Sequence, residues 1–320
     1  MIRNDIMANN VPHIKGEEST HSIMLDVIIS LLPAVIVGTF VFGLRTLLLV
    51  AVSICSALLF EYLSCKILKR KSSIDDLSAV VTGILFVFTL PVSAPIWIPI
   101  AGMFIAIAVI KQLGGGIGKN ILNPALGAWA ILRIIFPSQM TSFTSPRETL
   151  SLIGSVTVES VQTPLGILYE GGAISGVNWL DMLLGQTAGG IGSTSAAAIL
   201  AGGIYLLVRR VISHRITLSY LAVVAVMSFI MPGAGLDNLT WTVCQLFGGM
   251  LMLGAVYMAN DYTTSPVSPA GQWLYGTLCG ILTVALRMLK VYPDGTAFAI
   301  IIANLTARGL DMLFASFQSF

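Results

Sequence analysis

Charge is what this chain has least of. Of its 320 residues, 17 are Lys or Arg and 15 are Asp or Glu. That is 10% charged, against about 25% in an ordinary soluble domain. So little charge excludes a typical water-exposed surface, and 56% apolar residues place the chain among polytopic membrane proteins. A formal net charge of +2 gives no footprint for a nucleic-acid partner. Cysteine is scarce as well. Cys55, Cys65, Cys244 and Cys279 stand singly in apolar segments without C-x-x-C spacing, which argues against a zinc site and a disulfide framework and leaves small core residues. The first 21 residues are polar and lack a short apolar core with a cleavage site. No removable signal peptide is therefore expected, and the first apolar segment acts as the signal.

What the chain does have is apolar runs near the length of about 17 to 25 residues that crosses roughly 30 Å of hydrocarbon. Ten candidates emerge, at about 22–42, 45–65, 77–91, 95–112 and 121–136, then at about 195–208, 216–231, 240–258, 271–289 and 296–314. Several are short or broken by Pro and Gly, notably at Pro91 and near Pro266 and Pro269. Basic residues orient them: Lys66, Lys69, Arg70 and Lys71 follow the second span, and Arg209, Arg210 and Arg215 the sixth, marking cytoplasmic turns. Lys111 and Lys119 then fall inside, whereas Arg287 and Lys290 fall outside, against the rule. The expected organisation is a cytoplasmic N-terminal segment (1–21), a first membrane repeat (22–136), an extracytoplasmic connection (137–194) and a second membrane repeat (195–320).

Five spans per half make the second half enter from the opposite side, the signature of an inverted repeat. Pro91-Val92-Ser93 returns as Pro266-Val267-Ser268, and Asn123-Pro124-Ala125-Leu126 is echoed by Asn304-Leu305-Thr306-Ala307, at offsets of about 175 and 181. Polar groups at membrane depth need a reason, since an Asp at the bilayer centre costs about 2.5 to 3.5 kcal/mol. Asp26, Glu61, Asn120, Asn123, Asn260 and Asp261 are the candidates. Asp26 and Glu61 lie near span ends, where an interfacial position is an equal reading. Asn120 and Asn123 are three apart, which puts both amides on one face of the first turn of span five, and Asp261 lies at a helix break on the same side. Such a group suits a ligand rich in amide-like donors and acceptors, such as an isoalloxazine ring. The plainer alternative is that the two amides cap span five and Asp261 is solvated in its turn. Gly118-Lys119-Asn120 is not a Walker A loop, because Leu113 replaces the first glycine and Asn120 the magnesium-binding hydroxyl.

The long polar interval carries Ser160-Val161-Gln162-Thr163-Pro164-Leu165-Gly166. Loops this long in a compact protein are usually functional. Pro164 biases Thr163 toward an extended backbone, so its hydroxyl is expected to face out from a turn.

Pro12-His13-Ile14, Ser19-Thr20, Ile23-Met24-Leu25-Asp26-Val27 and Leu31-Leu32-Pro33-Ala34 resemble the opening of the D subunit of the Rnf complex. Gly118-Lys119-Asn120 with Asn123-Pro124-Ala125-Leu126, and Tyr257-Met258-Ala259-Asn260-Asp261, resemble its later hallmarks. The resemblance covers essentially the whole chain. The B subunit of sodium-pumping NADH:quinone oxidoreductase is similar but usually has a longer N-terminal region. Both imply an all-α fold like that of urea transporters, with about ten spans as two inverted five-helix repeats. The resemblance implies a membrane subunit of an ion-translocating ferredoxin:NAD oxidoreductase, in the bacterial cytoplasmic membrane, coupling electron transfer to sodium or proton movement. Its partners would be the other membrane and peripheral Rnf subunits, and a flavin transferase acting outside the cytoplasm would mature it. It further implies FMN joined by a phosphoester to a threonine in an S-G-A-T-like motif. Thr163 stands at the matching place with Ser160 three residues before it, while Val161 and Gln162 replace the usual Gly-Ala and Thr157 stands where an acid is common. A second, non-covalent flavin, riboflavin, is implied near Asn120, Asn123 and Asp261.

Without the Thr163 interval the default would be a cofactor-free channel or transporter of the urea or ammonium type, and fold analogy alone does not choose between the two. The charge-derived topology makes a direct prediction. In a cysteine-free background, single cysteines at Ser72 and Ser151 label from opposite sides of the membrane; labelling of both from one side would discard the span count and the outward placement of Thr163 together.

Overall fold

Helices begin where a hydroxyl, amide or carboxylate precedes an apolar run and accepts from the first free N–H groups. A computed structural model describes residues 19–70, 73–116, 118–148, 150–152, 159–171, 178–290 and 292–317, with side chains to 314. The opening Pro12-His13-Ile14 motif, most of segment 1–21, Lys71, Ser72 and Thr157 lie outside the described residues. Ser19 caps α1 (Thr20–Phe42), which is followed by α2 (Arg45–Ile67) and the short α3 (Ser78–Phe88). α4 (Trp97–Met103) runs on as a π-helix, Phe104–Gln112. Asn123 and Pro124 start α5 (Pro124–Ile135). The connection holds α6 (Pro137–Thr141), α7 (Pro164–Tyr169) and α8 (Trp179–Leu184). Ser195 caps α9 (Ala196–Val208), Ser213 caps α10 (His214–Ile230) and Asp237 caps α11 (Asn238–Phe247). α12 (Leu251–Leu253) continues as a second π segment, Gly254–Met258, before α13 (Pro269–Met288) and α14 (Thr296–Phe317).

No strand occurs among the described residues, and each of the ten apolar segments contains helix. Among the described residues three helices are long and apolar enough to cross a membrane: Thr20–Phe42, Arg45–Ile67 and Thr296–Phe314. The pair Asn238–Phe247 and Leu251–Met258, bent by 61°, makes a fourth if counted as one span. α3 has 11 residues and at 1.5 Å each covers about 17 Å, so it stops part-way through a bilayer. The fold is that of a helical membrane protein with several broken elements.

Contacts sort the loops onto two ends. At one end His21 meets Asp75, Arg70 donates to the Gln112 carbonyl, Asn123 to the Met258 carbonyl and Arg308 to the Lys119 carbonyl, while Ser213 N–H donates to Asn260. At the other, Arg147 N–H donates to Val41, Tyr169 to the Lys290 carbonyl and Arg133 to Tyr292. The first end gathers Lys66, Lys69, Arg70, Lys111, Lys119 and Arg209 to Arg215; the second gathers the connection that carries Thr163. Arg287 belongs to the second end but is buried there. It pairs with Asp294 at 3.1 Å and donates to the carbonyls of Gln245 and Gly248, so it is an internal brace rather than a surface charge.

Packing follows a shared plan. α2 packs on α3 and α4, and α4 with its π extension on α5; α10 packs on α11 and α13, and α13 on α14. α1 runs along α9 and joins the halves. The Asp26 carboxylate locks that seam by accepting from Tyr205 at 2.7 Å and Arg209 at 3.0 and 3.1 Å, and so is no free interfacial acid. Glu61 is fully buried with Lys111 at 2.8 Å. The echo between Asn123 and Asn304 is not positional: Asn123 caps α5, whereas Asn304 lies within α14. The two are neighbours instead, since turning the Asn304 amide lets its oxygen accept from Asn123 N–H at 3.0 Å.

Gly202 sets the α1–α9 distance, as a Cβ there would lie 2.0 Å from the Ser30 carbonyl oxygen and 2.2 Å from the Tyr257 hydroxyl. Gly202→Ala is accordingly expected to cost about 1 to 3 kcal/mol of packing. Thermal unfolding of the purified protein in detergent measures it, and an unchanged midpoint would show that the seam is looser than described.

Candidate functional site

Among the cavities of the described residues, two lie at opposite ends and hold the residues singled out in the sequence. The larger, about 360 Å3, opens at the end that carries the connection and includes Ser160, Gln162, Thr163 and Glu170 in its wall. It forms where helices stop short. Thr89 just past α3, Gly189, Gly190, Ser193 and Thr194 before α9, and Gly248 to Met250 at the bend between α11 and α12 all line it. Ile191 N–H donates to the Leu90 carbonyl and Gly192 N–H to that of Phe88, so the two broken ends satisfy each other. Irregular backbone at membrane depth is tolerated where it lines such a cavity. α5 adds Trp129 and Arg133, and the loop before α14 adds Tyr292 and Asp294.

Thr163 is extended, with φ −70° and ψ 158°, as its proline predicts. Its hydroxyl does not simply face out. The oxygen turns back to accept from Gly166 N–H at 3.1 Å and caps α7. The hydroxyl proton stays available, and the half-buried side chain borders the cavity. Ser160 is exposed on the same wall. Gln162 is held by Glu170 at 2.7 Å.

The second cavity, about 80 Å3, lies at the basic end and brings together Asn120, Asn123 and Asp261, with Lys111, Asn260 and Tyr257 beside them. The convergence expected of the three is thus observed, though not by sharing a helix turn: residues 119–123 are not helical, and α5 starts at Pro124. Their roles differ. Asn123 does cap α5, its oxygen accepting from Ala125 and Leu126 N–H at 3.0 and 3.3 Å. Asn120 caps nothing; it is buried and its Oδ1 has no partner, the kind of atom that calls for a ligand or a water. Asp261 accepts locally from Thr263 and Thr264. Burial pushes its carboxyl up, against those bonds and the nearby Lys111 charge. Asn260 is committed to structure, donating to Thr217 and to the Ala255 and Val256 carbonyls.

A family model described as the NQR2, RnfD, RnfE family matches residues 7–318. The chain belongs to that family. Among its relatives, the D subunit of the Na(+)-translocating ferredoxin:NAD(+) oxidoreductase complex of Acetobacterium woodii is 40% identical over 302 residues, covering 94% of this chain and 91% of that protein. The D subunit of the ion-translocating oxidoreductase complex of Shewanella sediminis is 34% identical, with 94% of each covered. The D subunit of the proton-translocating ferredoxin:NAD(+) oxidoreductase complex of Clostridium ljungdahlii is 32% identical, with 97% and 94% covered. All three are D subunits, in agreement with the resemblance drawn from the motifs. Within the NQR2, RnfD, RnfE family this chain is thus akin to the Rnf D subunits, and with its apolar helices it is a multi-pass membrane protein.

Sequence reasoning used Lys111 only to orient the spans and passed over Arg133, yet each lines one of these two cavities. The signal was present, since a basic residue inside an apolar run is as costly in lipid as an acid.

Proposed function

We propose that this chain is the flavin-bearing membrane subunit of an Rnf-type complex, relaying electrons between ferredoxin and NAD while sodium or protons cross the membrane. Thr163 would carry FMN as a phosphoester, attached by a flavin transferase on the extracytoplasmic side, and the other Rnf subunits would complete the electron path. The observation that carries this reading is a hydroxyl held by its helix cap on the wall of the larger of these two cavities, which Trp129 and Tyr292 also line. When bound, the flavin supplies the redox chemistry, and the chain binds and orients it. Ten spans in two inverted repeats belong to the same proposal, supported by the matching packing of α2 to α5 and α10 to α14. The N-terminus would be cytoplasmic and residues 137–194 outside. A urea-type channel would give no reason for Thr163 to sit at a large cavity.

Thr163→Asn separates attachment from structure, because Asn caps a helix about as well as Thr but has no hydroxyl to esterify. Expected is complete loss of covalent flavin fluorescence in denaturing gels, with insertion and assembly unchanged, while Thr163→Ser keeps attachment. Fluorescence retained in Thr163→Asn would move the attachment to Thr157 or Ser160.

We further propose that the smaller cavity holds a non-covalent flavin, riboflavin, against Asn120, Asn123 and Asp261. The unpartnered Asn120 Oδ1 supports it. The present volume is small for a three-ring system, so side chains lining it must give way. Asn120→Leu and Asp261→Leu are each expected to lower the extractable flavin of the purified complex at least several-fold; full content in both places that flavin elsewhere.

A further inference from the structure

The larger cavity has a distinctive charge pattern. Among its described lining residues Arg133 is the one cation, and the two carboxylates are already engaged. Glu170 accepts from Gln162; Asp294 accepts from Arg287, Thr296 and Met250 N–H. Arg133 makes no ion pair among the described residues. Its Nε donates to the Tyr292 hydroxyl at 2.5 Å and its Nη1 to the Pro137 carbonyl at 3.0 Å, and both acceptors are neutral. Nη2 has no partner among the described residues. The guanidinium carbon sits 5.2 Å from the Tyr292 ring centroid, and Tyr292 packs edge-on against Phe298 at 4.9 Å and Trp129 at 6.5 Å. A half-buried cation compensated only by a ring face and neutral oxygens is an electrostatic asymmetry that a negative partner would relieve.

We infer that Arg133 faces the ring of the Thr163-linked flavin and raises its reduction potential. The inference rests on the flavin reading above. With the phosphate fixed at Thr163, the ring lies a ribityl chain away. Of the surrounding elements, α5 with Tyr292 is the place that offers aromatic surface together with a cation. Two electrons and one proton added to a neutral flavin leave it with one negative charge. A fixed guanidinium favours that charged form over the oxidised one by Coulomb attraction in a medium of low dielectric. Tyr292 acts on Arg133: its hydroxyl holds Nε, and its ring centroid lies 5.2 Å from the guanidinium carbon, so the fork is aimed rather than mobile.

Spectroelectrochemical titration of the purified complex, with electrons supplied by an electrode through mediators, tests this. Covalent attachment is checked separately by in-gel fluorescence. In Arg133→Gln the flavin stays attached, and its reduced form is disfavoured at least tenfold, a fall of about 30 mV for a two-electron couple. Proton uptake per two electrons rises from one toward two near neutral pH, a change that mere loosening of the fold would not produce. Arg133→Lys recovers most of the potential. Should Arg133→Gln fail to assemble, Arg133→His carries the test, its potential matching the wild type at low pH and falling below it as the imidazole loses its proton. An attached flavin with wild-type potential and proton uptake in Arg133→Gln, or a wild-type profile in Arg133→His, overturns the assignment. Absence of covalent flavin from the wild-type complex overturns the attachment to Thr163 instead.

Discussion

Broken helices in lipid impose one requirement: every freed carbonyl and N–H must find a partner within the protein, because no water reaches it. Arg45 meets it at the first break. Fully buried at the start of α2, it donates to the carbonyls of Val92 and Ala94 past α3, and to those of Ser151 and Leu152 in the connection. Arg287 does the same at the bend between α11 and α12 through Gln245 and Gly248. These two side chains tie the irregular segments to the long helices, and the rest of that end is built on them. Their burial also accounts for Arg45 and Arg287 on the side where the topology rule disfavours basic residues, though not for the exposed Lys290. The rule counts charges that face water beside the membrane, and neither arginine does.

The larger cavity is a by-product of the same broken elements. α3 ends early, α9 begins late and α11 turns by 61° into α12, so the space that continuous helices would fill stays open. Gly190 lets the two broken ends approach each other at the cavity's edge, as a Cβ there would lie 2.7 Å from the Phe88 carbonyl oxygen. The connection then supplies a lid-side wall, with α7 docked by Leu165 and Leu168 on Trp241 and Cys244. Thr163 is placed by that docking and by its own cap, and of the two only the cap is a local consequence of the Thr-Pro-Leu-Gly order.

Helix positions were legible because lipid leaves a plain mark: apolar runs, with Ser19, Asn123, Ser195 and Ser268 in front of four of them. The extended backbone of Thr163 was legible from Pro164. The approach of Asn120 and Asn123 to Asp261 was legible from side-of-membrane reasoning, since the start of span five and the end of span eight both flank turns that the charge-derived topology puts on one side. What could not be read is how a side chain distributes its hydrogen bonds. Asn123 and Asn120 look alike in the sequence, yet one satisfies two N–H groups and the other keeps an unpartnered oxygen, a difference fixed by the helix starting at Pro124. The pairing of Glu61 with Lys111, 50 residues on, depends on how α2 packs against the π segment and leaves no local trace. The same holds for Arg133 and Tyr292, which come from opposite halves of the chain.

At the α1–α9 seam, the Tyr257 hydroxyl donates to the Ser30 carbonyl at 2.9 Å, beside the Gly202 position that has no space for a methyl group. Transporters built from repeats commonly expose a substrate alternately by rocking one half against the other. Here α1 and α9 meet backbone to backbone, and a shift of one toward the other at this point would drive the main chains together. The seam thus resists compression, and any change in the angle between these helices has to open it rather than tighten it.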